Sequence, residues 1–278
     1  MPGYLDKHYD LNDSSLISVI DELPLWSAPF GIKLLETINY RRNINVLDIG
    51  FGLGFPLLEI AMRLGNTCKI FGIDPWDAAI ERTLSKIHHY GITNVEIIRG
   101  VAENIPLQDA TIDLIVSNNG TNNVQDLSET LSECYRVAKS GAQFVLTVNL
   151  PDTMIEFYTI FERVLETNGL NALIPEIKSH IQSKRLPLNA LEIKLSDAGF
   201  KIVTSDESSF YFRYNDAESM FSHFLISMAF LDSWKAIVPE NLRSKIFRDI
   251  EFHVNQIAEA NSGFTLTIPF VTINCIRE

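Results

Sequence analysis

Basic residues are scarce in this chain: 23 Lys and Arg stand against 35 Asp and Glu, a formal net charge of −12. That balance argues against a DNA or RNA partner, because affinity for a phosphate backbone comes largely from clustered Lys and Arg. It does not exclude a small acidic ligand held by one or two local cations. Long apolar runs are missing too. Phe224–Leu231, among the longest uncharged ones, is interrupted by Ser227 and falls far short of the ~20 apolar residues a spanning helix needs. Met1 to Asp10 is polar and acidic, without the apolar stretch of a secretion signal. Cysteine is rare: Cys68, Cys134 and Cys275 are widely spaced, and no two form a Cys-x-x-Cys pair. They read as small buried hydrophobes, not as a disulfide framework or a metal site. Repeats and low-complexity segments are also lacking. A soluble, cytoplasmic protein without a metal is the expectation.

What is present suits a folded α/β protein. Apolar residues make up 46% of the chain and charged residues 21%, a composition that excludes general disorder. At 278 residues the chain can bury a large core unaided, either as one α/β domain with insertions or as two domains. Short apolar runs at Ile44–Ile49, Cys68–Ile73, Val95–Ile98, Ile112–Ser117 and Gln143–Val148 read as strands. Between them, Phe55–Leu64, Asp77–Tyr90 and Gln125–Lys139 carry apolar residues at helical spacing. Such alternation implies βαβ units and a parallel sheet. After Leu150 the pattern changes. Residues 152–183 read as helical, Leu188–Ala198 as another helix, and Phe200–Ser205 and Ser209–Tyr214 as extended. Residues 216–261 read as mostly helical with a break near Pro239, and Phe264–Ile276 is rich in β-branched residues. Near the N-terminus, the apolar stretch Leu23 to Phe30 precedes a helical run, Ile32–Tyr40.

The informative stretch is Val46-Leu47-Asp48-Ile49-Gly50-Phe51-Gly52-Leu53-Gly54. A strand runs into three glycines at alternate positions and then into a helix. Glycine allows a sharp turn and close approach of a ligand, and the helix start offers free N–H groups and a positive dipole end. This is the geometry of a nucleotide-type site at the carboxyl end of the first strand. A dinucleotide site, an S-adenosylmethionine site and a plain structural turn all begin this way. The dinucleotide fingerprint wants a small residue at position 55, which is Phe. Asp48, two residues before the first glycine, would oppose a pyrophosphate but suits a ligand carrying an ammonium and a sulfonium. Asp74, ending the second strand, suits the ribose hydroxyls of either nucleotide.

With these residues the chain resembles the class I S-adenosylmethionine-dependent methyltransferases, in the group that includes quinone-biosynthesis and small-molecule enzymes. The resemblance covers about residues 44–150. It rests on four blocks in order: Val46 to Gly52; Gly72-Ile73-Asp74-Pro75-Trp76; Gly100-Val101-Ala102-Glu103-Asn104-Ile105-Pro106; and Asp113 to Asn118 with Glu133 to Gly141. It implies a Rossmann-like, doubly wound sheet of seven mostly parallel strands with an antiparallel last strand, plus helical cap insertions. The implied organisation is an N-terminal helical segment over the cofactor site (1–43), a cofactor-binding core (44–150), a helical insertion (151–186), a return to the core (187–214), a helical cap (215–262) and the last strand (263–278). S-adenosyl-L-methionine is the implied cofactor. Gly50, Phe51 and Gly52 would pass beneath its methionine part, and Asp48 would lie near its ammonium group. Asp74 would hold the ribose hydroxyls, with Pro75 and Trp76 beside the adenine, Ala102 and Glu103 at its edge, and Ser117 and Asn118 beside the methyl donor. The chain departs from the pattern at Val101, where many relatives carry an Asp that receives the adenine amino group. Glu103 or a backbone carbonyl would have to substitute.

Methyl transfer from a sulfonium is an in-line displacement that asks the protein mainly to position the acceptor and exclude water. A base is needed only where the acceptor must lose a proton, and histidine is the usual choice near neutral pH. His88, His89 and His253 read as surface residues. His8, beside Tyr4 and Tyr9 in a segment able to fold over the cofactor, and His180 and His223, in the helical additions, are the candidate bases. Met220, Phe221, Phe224, Met228, Phe230 and Trp234 suggest either a hydrophobic cap, and with it a partly apolar small-molecule substrate, or simply the packing of these helices. Exposed apolar surface on such a cap is compatible with a homodimer. Two other readings stay open: a cofactor-binding sensor without turnover, and methylation of protein or RNA. The charge and the absence of an Asn-Pro-Pro-aromatic block after the fourth strand disfavour RNA.

Overall fold

The computed structural model describes residues 3–20 and 25–278; Leu23 and Pro24 of the apolar N-terminal stretch lie outside them. In chain order the elements are α1 (Ser14–Ile20), α2 (Ser27–Thr37), β1 (Asn45–Ile49), α3 (Leu57–Leu64), β2 (Lys69–Asp74), α4 (Asp77–Tyr90), β3 (Val95–Arg99), β4 (Ile112–Asn118), α5 (Leu127–Val137) and β5 (Ala138–Asn149). There follow α6 (Ile155–Thr167), α7 (Ile174–Lys184), α8 (Leu188–Asp197), β6 (Phe200–Tyr214), α9 (Ala217–Ser222), α10 (Phe224–Ala229), α11 (Leu231–Ile237), α12 (Glu240–Asn261) and β7 (Phe264–Arg277). The strands make one seven-stranded sheet in the order β3-β2-β1-β4-β5-β7-β6. β1 to β5 pair in parallel, and β7 lies antiparallel to β5, with Leu146 opposite Ile273. The expected Rossmann-like sheet and its antiparallel last strand are therefore present.

The chain divides into two compact units. The larger comprises Leu11–Leu150, Leu186–Ser208 and Phe270–Glu278. Its central strands are apolar on both faces because helices cover both. Successive residues of β1 point to opposite sides. Val46 joins Ile70, Leu114 and Val145 beneath Leu34 and Leu35 of α2, Ile60 of α3 and Ile80 of α4. Leu47 joins Ile115, Phe144 and Leu146 against Leu131 and Cys134 of α5 and Leu191 and Leu195 of α8. All three cysteines are free and buried. Burial pushes the Cys275 thiol up to about 12 and raises Cys134 as well, so these two stay as inert thiols. The chain crosses to the other side of β1 between β3 and β4, which opens a crevice at the carboxyl ends of the strands.

The smaller unit is Met1–Asp10, Pro151–Arg185 and Ser209–Pro269. Its core is aromatic. Trp234 stacks on Phe157 at 3.9 Å between ring centroids and donates its indole N–H to the Tyr158 hydroxyl at 3.1 Å. Phe221, Phe247 and Met220 are fully buried around them. Three of the six residues that suggested a cap, Met220, Phe221 and Trp234, are thus used by this unit's own interior.

Several boundaries differ from the sequence expectation for identifiable reasons. The helical run placed at Ile32–Tyr40 is α2, starting at Ser27 and ending at Thr37. Its end is held by the Gln143 side chain, which donates to Thr37 O at 3.0 Å and accepts the Asn39 N–H at 2.9 Å. β6 is continuous across Asp206-Glu207, because it lies at the edge of the sheet where polar side chains stay in water. The helical stretch after residue 215 breaks at His223 and Phe230 as well as near Pro239. No helix among the described residues is long and apolar enough to cross a membrane.

Candidate functional site

The turn after β1 is built by glycines at positive φ. Gly50 (φ 72°) and Gly52 (φ 51°) occupy the left-handed region that disfavours a side chain. A Cβ added to Gly52 would meet nothing within 4 Å, whereas one on Gly50 would lie 2.7 Å from the Gly120 Cα. The turn is therefore open on one side and closed on the other. Two polar residues of α4 fix its carbonyls. Thr83 donates to Gly52 O at 3.1 Å, and Lys86 donates to Leu53 O at 2.8 Å. Phe55 seats its ring where a Cβ on Gly31 of α2 would lie 2.1 Å from it. Position 55 is thus a packing residue and not the small residue of a dinucleotide turn.

Asp74 closes the turn from β2. Its Oδ2 accepts the Gly52 N–H and its Oδ1 the Trp76 N–H, both at 2.8 Å. The side chain is buried, and burial raises its carboxyl above the ordinary value, while those two N–H groups pull it down. Each oxygen retains lone-pair capacity for a further donor. Together with Ile49, Gly50, Gly52, Ile73, Pro75 and Trp76, Asp74 lines a cavity of about 510 Å³ at the strand ends. Trp76 is held in turn by its indole N–H, which donates to Leu11 O at 2.9 Å.

Asp48 lies behind this wall, fully buried, and neither carboxylate oxygen has a hydrogen-bond partner of good geometry, the Leu57 N–H being the one amide close enough to act on it. Burial pushes its carboxyl well above the usual range, the nearby Asp74 charge pushes it further, and the Leu57 N–H works the other way. An unsatisfied buried polar group costs roughly 1–3 kcal/mol, and a charged one more. An acid left in this condition fits a site that receives a cation.

The far end of the cavity comes from the loops after β3 and β4: Gly100, Val101, Ala102, Glu103, Gly120, Asn123, Val124 and Gln125. The first loop is fixed by α5. Arg136 donates to Ile105 O and Leu107 O, and Glu133 accepts the Ile105 N–H. The second is fixed by Gly120, which passes so close to β1 that a Cβ there would lie 2.1 Å from Ile49 O and 2.9 Å from Ser117 Oγ. Gly120→Ala is expected to destabilise the protein by about 1–3 kcal/mol, the usual cost of overpacking, read as a lower urea midpoint. An unchanged midpoint would mean that this turn shifts freely.

Three expected site positions commit their side chains elsewhere. Phe51 is buried in the core between β1 and α3. Ser117 donates to Ile49 O at 3.2 Å and accepts the Thr121 N–H at 3.1 Å. Asn118 donates to Ser27 O at 3.1 Å and accepts from the Thr147 hydroxyl at 3.0 Å. Neither these three nor Asp48 lines this cavity. Gly120, Thr83 and Lys86 were missed as site-building residues. The signal for Thr83 was a polar residue between Ile80, Leu84 and Ile87 on an otherwise apolar helix face.

The candidate bases do not converge. His8 lies 3.8 Å from Asp232 and lines a separate cavity with Lys235 and Arg243. His180 borders another, with Glu176 and Ser233. Burial lowers its basicity, and the Arg185 and Lys184 charges add to that. His223 packs 5.4 Å from the Tyr214 ring, its Nδ1 buried without a partner, and burial lowers its basicity too. All three belong to the smaller unit. Tyr4 and Tyr9, expected to fold toward the cofactor, pack within that unit, Tyr4 stacked on Phe221 and Tyr9 edge-on to Phe224. Among the described residues no group of three or more His, Cys, Asp or Glu is placed to hold a metal ion.

Sheet order, glycine turn and paired acids together place a nucleotide-type site at the strand ends. The family model described as "Methyltransferase domain" matches residues 47–146, from within β1 to within β5. A demethylmenaquinone methyltransferase of Geobacillus sp. (strain WCH70) is 28% identical over 155 residues, 56% of this chain and 64% of that protein. A ubiquinone/menaquinone biosynthesis C-methyltransferase of Geotalea daltonii is 34% identical over 115 residues, 40% of this chain and 48% of that one. The chain thus covers less than two thirds of the length of these relatives. A solved structure of geranyl diphosphate methyltransferase in complex with SAM superposes with a TM-score of 0.57 at 15% identity, over 99% of this chain and 94% of that one, which marks a shared fold.

Proposed function

We propose that this chain is an S-adenosylmethionine-dependent methyltransferase acting on a small, partly apolar acceptor. The observation that carries the reading is the Asp48 carboxylate, buried without a partner of good geometry behind the glycine turn. A pyrophosphate against that turn would be repelled by it. A ligand with an ammonium group supplies the charge it lacks. In this reading Asp74 receives the ribose hydroxyls on lone pairs that Gly52 and Trp76 leave open, and the positive-φ glycines let the ligand lie against the backbone. When bound, the cofactor's sulfonium supplies an activated methyl group. The chain's own task is then to orient the acceptor and exclude water. Acceptor choice is assigned to residues 151–186 and 215–262, which lie outside the matched domain. The matched relatives are named for demethylmenaquinone and for ubiquinone and menaquinone biosynthesis, which makes a demethylated quinol the first acceptor to try.

Calorimetric titration with S-adenosylmethionine, followed by transfer of labelled methyl to quinol and phenol acceptors, tests the reading. Saturable binding followed by product supports it. Binding without product across such acceptors would favour a sensor. No binding by folded protein would remove the reading altogether.

A further inference from the structure

We infer that the smaller unit holds a binding site of its own, for a small zwitterion of the α-amino acid type. The site is a cavity of about 410 Å³ formed by residues 5–8, α11 and the start of α12, a volume within the range of about 300–1,000 Å³ usual for small-molecule pockets. Every wall of it belongs to the smaller unit, and the methyl transfer proposed above makes no use of it. The walls are tied together before any ligand arrives. Lys235 is only 5% exposed, and its ammonium donates to Leu5 O at 3.0 Å and pairs with Asp232 Oδ1 at 2.6 Å. That pins the N-terminal segment to α11. Arg243 donates through Nε to Lys235 O at 2.9 Å and to Val238 O at 3.1 Å, which pins α12 to the end of α11.

What these anchors leave over decides the ligand. The two outer nitrogens of Arg243 have no hydrogen-bond partner among the described residues, and such a planar fork fits a carboxylate bidentately. Lys235 keeps one of its three N–H groups. Asp6 and Glu240 line the same cavity, yet among the described residues neither forms an ion pair with Arg243 or with any other cation. Asp232 has its Oδ2 3.8 Å from His8 Nδ1. Charges of both signs that share a cavity without pairing call for a ligand of both signs. A simple anion would meet Arg243 but also three carboxylates. A simple cation would meet those carboxylates but also Arg243 and Lys235. A molecule with a carboxylate for the Arg243 fork and an ammonium for Asp6 and Glu240 satisfies both sets. Leu5 and Ala236 supply the uncharged part of the wall, which suits a neutral side chain.

Calorimetric titration of the full chain with glycine, L-alanine, L-valine and L-methionine tests this, with acetate and methylamine as the two halves of the ligand. At least one amino acid is expected to bind saturably with a dissociation constant below about 1 mM, and at least about tenfold more tightly than either half. Asp6→Asn combined with Glu240→Gln removes the partners of the ammonium on two exposed side chains. It should weaken binding about ten- to hundredfold, the worth of one hydrogen bond to a charged group, with an unchanged thermal midpoint. Arg243→Lys keeps the charge, loses the fork and should weaken binding as much. Its midpoint is free to fall, because Arg243 Nε also holds α11, and the double variant then separates loss of the site from loss of the fold. No saturable binding of any of the four amino acids by folded wild type overturns the inference. So does acetate binding as tightly as they do, which would make this an anion site. Amino-acid affinity that survives in the double variant also overturns it, by placing the ligand elsewhere. None of these results bears on S-adenosylmethionine binding at the strand ends.

Discussion

Asp74→Ala is expected to raise the dissociation constant for S-adenosylmethionine by about a hundredfold or more while the protein stays folded. Asp74 serves two sets of donors at once. Its oxygens hold the Gly52 and Trp76 N–H groups at 2.8 Å, and in the proposed complex the same oxygens receive the two ribose hydroxyls. A hydrogen bond to a charged group is worth about 1.5–3 kcal/mol, so losing both hydroxyl contacts costs about 3–6 kcal/mol, at least two decades in affinity. The glycine turn also loses its anchor on β2, which loosens the surface the ligand lies on. Thermal stability should change little, because the lost amide contacts are offset by removing a carboxyl that burial already disfavours. Asp74→Asn should fall between the two. Its single carbonyl oxygen can serve one amide well, while its NH₂ faces the other. Binding by wild type should weaken as pH falls through the raised Asp74 value, since the protonated acid accepts poorly. Calorimetry on the three proteins, with circular dichroism as the folding control, reads all of this. An Asp74→Ala protein that binds as wild type does would place the ribose elsewhere.

How much of this was legible in the sequence depended on the kind of signal. The parallel strands were legible because strands covered on both faces must be apolar throughout, and Val46-Leu47, Ile70-Phe71 and Leu114-Ile115-Val116 are. The glycine turn and Asp74 were legible because a positive φ and an acid at a strand end leave their marks in residue type. Side-chain direction at a turn leaves no such mark. Ser117 and Asn118 sit at the right strand end, yet both turn inward to stitch β4 to β1, β5 and α2. Phe51 lies between two site glycines and packs into the core. Gly120 carries no mark of its role in the sequence, because what demands glycine there is the Ile49 carbonyl, remote in sequence. The aromatics between 220 and 234 were open to reading as a ligand surface or as packing, and only the structure showed how many the core takes. The short break at His223 was hidden because a helix can be interrupted by one extended residue without proline or glycine.

Asp48→Asn is expected to move stability and binding in opposite directions. The carboxyl sits fully buried with no partner of good geometry, and burial, with the Asp74 charge behind it, holds it well above the ordinary carboxyl range. An acid raised in this way binds more protons in the folded chain than in the unfolded one. Its contribution is neutral below the unfolded value, becomes increasingly unfavourable as pH rises above it, and levels off beyond the folded value. Asparagine carries no such charge. The variant should therefore melt with wild type at acid pH and above it toward neutrality, the gap approaching about 1–3 kcal/mol, or several degrees in a protein this size. The ligand reverses the comparison. Its ammonium group stabilises the ionised Asp48, so the variant should bind about ten- to hundredfold more weakly. In wild type that same stabilisation pulls the carboxyl value down on binding, so a proton is released wherever Asp48 was protonated beforehand. The heat of binding should then vary with the ionisation enthalpy of the buffer in wild type and much less in the variant. Equal affinity in both proteins, or heats independent of buffer in both, would mean that the cation does not approach Asp48. The buried acid would then be a cost of the fold with no return at this site.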